Sequence, residues 1–295
     1  MNPAMDLPDI FRAALERVDP HRMVREAVSL DAGSLFIRCG NTVVRENLAS
    51  YDRIVAIGIG KAACGMARAV EEALGDRLDE GLVLTKYGHG QSLSRIRVVE
   101  ASHPVPDENG MNASRCILHI AQEASERTLV LCLVSGGGSA LFTLPAEGLS
   151  LPDKQSLTET LLASGATIDE INTVRKHLSR VKGGRLARTL HPARTISLVL
   201  SDVVGDRLDT IASGVTAPDA TTFAQAQEIL ARYAIENLAP RAAREIILKG
   251  VRGEIPETPK EDDPAFARVT NLIVGNNRSA CEAARERGEA LGYHT

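Results

Sequence analysis

From Arg53 onwards, short apolar runs alternate with amphipathic segments, and the alternation predicts a repeated strand-then-helix rhythm. Candidate strands span residues 53–57, 81–84, 96–100, 128–134, 195–200 and 271–274. Several are unbroken Val/Ile/Leu runs, as expected of strands covered on both faces. Between them, Ala62, Met66, Ala69, Val70 and Ala73 form one helical stripe. Thr167 with Glu170 and Ser150 with Asp153 supply capping-box starts, and residues 279–291 predict a closing helix. Ahead of this region, Ile10, Phe11, Ala14, Leu15 and Val18 fall at helical spacing, as do Met23, Val24, Ala27 and Val28. Segments 34–38 and 42–45 flank Gly40-Asn41, a hairpin signal.

The pattern predicts an α/β fold: a doubly wound, mostly parallel sheet with helices on both faces, three-layer and Rossmann-like. Residues 46–295 are expected to form one large α/β domain with ligand loops at the strand C-termini, and residues 1–45 a helical and hairpin extension compatible with a second domain. The stretch 250–264, rich in proline and charge, is the expected flexible loop. Gly292-Tyr293-His294-Thr295 reads as a turn into another strand, so the last βα unit is left open and more protein is expected after it.

Composition narrows the partners. The chain has 295 residues, with 34 Lys and Arg against 38 Asp and Glu, a net charge of −4. There is no tryptophan, aromatics reach 3%, and no block of like charge occurs, which argues against nucleic acid as a partner. Five scattered cysteines without Cys-x-x-Cys spacing argue against a disulfide scaffold or a zinc site. No apolar run approaches the roughly 20 residues that span a bilayer, and the N-terminus lacks a signal-peptide core. A cytoplasmic protein with no membrane partner is expected.

Nearly every predicted strand runs directly into glycine, hydroxyl or charged residues, and in an open α/β sheet those loops share one edge. Ser135-Gly136-Gly137-Gly138-Ser139 has the chemistry of an anion cradle, because glycines let several N–H groups approach one oxyanion. Gly58-Ile59-Gly60-Lys61 is no Walker A loop, and its looser dinucleotide pattern lacks the ribose-binding acid after the next strand, where Thr85-Lys86 stands. Lys61 instead puts an ammonium at a helix start, suited to a phosphoryl group or a carboxylate. Asp202 and Asp206 offer two carboxylates for Mg²⁺. Asn172, Arg175 and Lys176 share a helix face, followed by Lys182-Gly183-Gly184-Arg185, a cationic surface for carboxylate or phosphate unless it merely faces solvent. His103, ahead of Pro104, reads on its own as a backbone-orienting residue.

These segments together resemble the glycerate 2-kinase family, the MOFRL-type class II glycerate kinases. The match runs through residues 58–63, 85–89, 103–109, 135–141, 170–186 and 201–214. The resemblance implies transfer of the ATP γ-phosphate to the 2-hydroxyl of D-glycerate with Mg²⁺, at a site between this α/β domain and a smaller C-terminal one. Lys61 matches the family's catalytic lysine. Position and chemistry add Arg175 and Asp202 as catalytic, with Gly58, Gly60, Ser135, Gly136, Gly137, Gly138 and Ser139 holding the nucleotide. Lys86, His103, Asp107, Asn172, Lys176 and Lys182 are expected to hold the substrate, and Asp202 with Asp206 the metal. The expected partners are ATP and glycerate, with a homodimer left open. Val215 departs from the family's usual proline, which loosens a turn without removing chemistry. The family's C-terminal glycine-rich and acidic segments, including a functional arginine, are absent, so this chain alone is expected to fold but to be inactive or nearly so. Two other readings stand beside this one: an NAD(P)-dependent hydroxypyruvate reductase, marked by nicotinamide binding without ATP binding, and a phosphosugar-binding module without turnover.

Overall fold

The computed structural model describes residues 3–295. Two helices, α1 (Pro3–Arg17) and α2 (Pro20–Ala27), lead into an antiparallel sheet of β1 (Val28–Asp31), β2 (Ser34–Cys39) and β3 (Thr42–Asn47). The hairpin read at Gly40-Asn41 forms, with Cys39 opposite Thr42. One boundary differs from the sequence reading: Val28 starts a strand rather than continuing a helix. Its N–H still closes the helix on the Val24 carbonyl, but its backbone is extended, and Ala32-Gly33 at positive φ turn the chain back so that Val28 pairs with Ile37. A β-branched residue at a helix end gains more by packing on a pleated surface.

The principal sheet contains β4 (Arg53–Ile59), β5 (Glu80–Lys86), β6 (Ile96–Ala101), β7 (Thr128–Val134), β8 (Arg194–Leu200) and β9 (Val269–Gly275). All neighbours are parallel, in the order β6-β5-β4-β7-β8-β9. The chain therefore winds outward from β4 in one direction, returns, and winds outward from β7 in the other. The point of reversal, between β4 and β7, is where an open sheet leaves a crevice.

Why the strands lack alternation is visible in β7, all seven of whose residues are buried. Leu129, Leu131 and Leu133 enter the core on one face, Val130, Cys132 and Val134 the core on the other. The first face is covered by α3 (Ala63–Leu74), α2 and the small sheet, which contributes Leu35 and Ile37; Cys39 Sγ also donates to the Ile273 carbonyl at 2.9 Å. The second is covered by α4 (Glu108–Gln122), the short α5 (Gly138–Leu141) and α8 (Arg185–Leu190). A separate apolar cluster joins α6 (Leu151–Ala163), α7 (Ile168–His177), α9 (Phe223–Arg232) and α10 (Arg241–Val251). The last helix, α11 (Asn277–Ala290), packs on α1.

The stretch 250–264, read as flexible, is instead pinned. Glu257 accepts from the Phe223 N–H and pairs with His177, while the Pro259 carbonyl accepts from the Asp219 N–H. Proline and charge marked a loop correctly; buried partners supplied by α7 and α9 decide that it is held. Among the described residues, no helix is long and apolar enough to cross a membrane.

Candidate functional site

At the reversal point the β4 and β7 loops are stitched together. Ser135 N–H donates to the Ile59 carbonyl at 2.9 Å, Lys61 N–H to the Gly136 carbonyl at 2.9 Å, and Ala62 N–H to Ser135 Oγ at 3.1 Å. Gly60 sits at φ +123° against the Ser135 backbone, so close that a Cβ would overlap the Ser135 carbonyl. A side chain here is excluded both by conformation and by space.

The triple-glycine turn gathers the chemistry. A Cβ on Gly136 would overlap an Asp202 carboxylate oxygen, and one on Gly137, at φ +85°, would meet Lys61 Cε and the His103 ring at 3.1 Å each. One on Gly138 would press on Ala212. Loops following β4, β6, β7 and β8 thus close on three consecutive glycines. Burial, then the Lys61 and Lys86 ammonium groups, lowers the His103 imidazole below its usual range, with Asp202 opposing them. His89 Nδ1 lies 3.2 Å from the Lys61 carbonyl, drawing the β5 loop into the same edge.

A crevice of about 950 Å³ opens above this turn. Lys61, Ser135, Gly136, Asp202 and Asp206 line it, together with Asn276 and Arg278 beyond β9. Phe11 and Leu15 of α1, with Val18 just after it, form another wall. Asp206, at φ +54°, accepts from Asn276 Nδ2 at 2.5 Å, which ties the β8 and β9 loops. Among the described residues there is no group of three or more metal-ligating side chains. Two carboxylates over an anion cradle do suit Mg²⁺, which takes one or two carboxylates and fills its remaining positions with phosphate oxygens and water.

The helical candidates behave differently. Lys182 is fully buried, and its Nζ donates to the Ser139 and Phe142 carbonyls at 2.7 and 2.9 Å. Burial, with Lys154 and Arg175 nearby, holds its ammonium well below the usual lysine range. It supports the glycine turn from beneath. Asn172 is buried and accepts from Ser213 Oγ at 3.4 Å, and Ser213 Oγ lies 2.8 Å from Ser139 Oγ. Lys176 is buried against Asp219 at 3.2 Å, with Asp209 at 3.9 Å. Arg175 lies between α6 and α7 beside Lys154, with a buried Nε that has no hydrogen-bond partner. None of these four lines the crevice. Asp107 is the N-cap of α4, accepting from the Gly110 N–H, and its other oxygen takes the Tyr87 hydroxyl at 2.8 Å. Gly58 is excluded from bearing a side chain by Val83 and Ala63, a packing reason within the sheet.

Three contributors escaped the sequence reading. Ser213, at φ +60°, bridges Ser139 and Asn172, and nothing in its local pattern marks it. The α1 wall reads in sequence only as an amphipathic face. Arg278 could have been found, since it follows a predicted strand as the other loops do.

The family model described as "Domain of unknown function (DUF4147)" matches residues 6–248. A "Glycerate 2-kinase" of Pyrococcus horikoshii is 43% identical over 98% of this chain and 64% of its own length. A "D-glycerate 2-kinase" of Thermotoga maritima is 42% identical over 94% of this chain and 64% of its own length. A "Putative hydroxypyruvate reductase" of Agrobacterium vitis is 47% identical over 72% of this chain and 47% of its length. The crystal structure of a glycerate kinase from Thermotoga maritima superposes with a TM-score of 0.81 at 39% identity, covering 98% of this chain and 63% of that one. The chain spans less than two thirds of the length of each of these relatives. With its doubly wound sheet and its family match over more than three quarters of its residues, the chain belongs to the DUF4147 family.

Proposed function

We propose that the crevice transfers the γ-phosphoryl group of Mg·ATP to the 2-hydroxyl of D-glycerate, as the names of the kinase relatives suggest. The observation that carries the reading is the closure of Lys61, His103 and Asp202 on Gly136 and Gly137. The glycine turn approaches phosphate oxygens without steric obstruction, and Lys61 offsets charge that accumulates on the transferring group. Asp202 and Asp206 would hold Mg²⁺, which when bound neutralises phosphate charge. With its imidazole lowered, His103 is neutral near pH 7 and can accept a hydrogen bond from the acceptor hydroxyl, while the half-buried Lys86 ammonium suits the glycerate carboxylate. Asn172 and Lys182 act at one remove, as positioning residues beneath the Ser139 turn.

The test is phosphorylation of D-glycerate by the full-length protein with Mg·ATP, comparing wild type with Lys61→Ala. A fall of about 10²–10³-fold in kcat is expected from losing one preorganised charge partner, with the thermal midpoint unchanged. The name of the Agrobacterium vitis relative favours a second reading, reduction of hydroxypyruvate with NAD(P)H. The absence of an acid at the end of β5, where Thr85-Lys86 stands, counts against it. Oxidation of NAD(P)H by hydroxypyruvate, without phosphorylation of glycerate, would reverse the order.

A further inference from the structure

The Lys182-Gly183-Gly184-Arg185 motif is divided by the fold. Gly183 and Gly184, at φ +56° and +78°, bend the chain so that Lys182 enters the core under the crevice while Arg185 starts α8 and turns elsewhere. Arg185 faces a second cavity, of about 320 Å³, that shares no lining residue with the crevice. The end of α4 contributes Leu118 and Gln122 to this cavity, and α8 contributes Arg185, Arg188 and Thr189. Since α4 leads into β7 and α8 into β8, the cavity lies toward the end of the sheet where those strands begin, away from the glycine turn.

Its charge is unbalanced. Arg188 is engaged, with Nε and Nη2 on Asp263 at 3.0 and 2.7 Å, and His177 is held by the Thr173 carbonyl and Glu257. Arg180 and Arg185, among the described residues, have no carboxylate within ion-pair distance, and Arg185 Nε is buried without a hydrogen-bond partner. Burial, then the neighbouring Arg188 charge, lowers Arg185, with Glu257 and Asp219 opposing. Among the described residues Glu147 is the only carboxylate lining the cavity, and it is exposed. A guanidinium without a carboxylate partner at a cavity wall is suited to an oxyanion, because its planar fork matches carboxylate and phosphate geometry. Leu118, Phe223, Ile246 and Ile255 give the cavity an apolar wall.

We infer that this cavity is a second ligand site, for a small organic oxyanion whose phosphate or carboxylate pairs with Arg185 and Arg180 and whose apolar body packs on Phe223 and Ile246. It is independent of what the crevice does. Phenyl phosphate is a suitable probe, titrated calorimetrically into the wild-type chain and into Lys61→Ala, Arg185→Gln and Arg180→Gln. One binding event per chain is expected to survive Lys61→Ala, to weaken at least about tenfold in Arg185→Gln, and to weaken less in Arg180→Gln, whose side chain is exposed. Benzoate competing at the same site would show that the oxyanion is recognised through the shared fork geometry, and inorganic phosphate is expected to bind more weakly because it leaves the apolar wall unused. If Arg185→Gln fails to fold, the Arg180→Gln titration decides. Absence of any saturable binding would overturn the inference. So would binding that disappears in Lys61→Ala and is untouched in the arginine variants, which would assign the probe to the crevice.

Discussion

The loops at the strand ends and the α7–α8 segment carry similar residues and put them to opposite uses. Lys61 and Asp202 face an open crevice over three glycines, and neither forms an ion pair among the described residues. Lys176 and Lys182 lie on a segment just as rich in charge, yet the fold buries both, one against Asp219 and the other against two backbone carbonyls. The difference is geometric. A parallel strand ends at an edge, so whatever follows it must emerge into solvent, whereas most of a ten-residue helix can be covered by α6, α9 and the 253–263 loop. Charge density in a helix therefore tells little about where the charge goes.

The largest expected effect comes from breaking the buried side. Asp219 is fully buried, and one of its oxygens has no hydrogen-bond partner. Burial alone would raise its carboxyl, but Lys176 and Thr221 outweigh it and keep it ionised. Lys176→Met should cost about 3–5 kcal/mol, because it leaves that charge uncompensated. The urea midpoint of Lys176→Met combined with Asp219→Asn should recover part of the loss, and a double variant no better than the single one would show that the pair is not the cause.

Breaking the edge side should cost less stability and more function. Gly60→Ala forces a Cβ into the Ser135 backbone at φ +123°, with an expected cost of about 1–3 kcal/mol. Gly148→Ala, also at positive φ but with nothing within 4 Å, pays only the conformational part, about 1–2 kcal/mol. Denaturation midpoints separate the two, and equal losses would mean that the stitched loops yield freely.

The smallest effect is a pH slope. Burial lowers His177 below its ordinary 6.5, outweighing the Thr173 carbonyl, Asp219 and Glu257. The unfolded chain then takes up a proton that the folded chain resists, so stability falls as pH drops below about 6.5, by no more than about 1.4 kcal/mol per pH unit. Thermal midpoints at pH 7.5 and 5.5 should converge in His177→Gln; an unchanged gap would place the acid sensitivity elsewhere.

The sheet was legible because strands buried on two faces must be continuously apolar, and the crevice because five of those strands end in ligand-suited residues. What stayed hidden depends on tertiary partners. The α7 periodicity puts Asn172, Arg175 and Lys176 on one face but cannot say that Ser213 and Asp219 cover it. Asp107 reads as a substrate ligand from its loop, and only the following helix shows that its oxygens are taken by Gly110 and Tyr87. Val28 lost its helix to a strand partner nine residues away.

The hydrogen bonds from Lys61 to Gly136 and from Ala62 to Ser135 also constrain how the crevice can be redesigned. The β4 loop takes both acceptors from the β7 loop, whose own Ser135 N–H rests on the Ile59 carbonyl at the end of β4, so the two are held as one unit. A graft that transplants the glycine turn into another scaffold without the β4 loop would move the ligands and leave their mould behind.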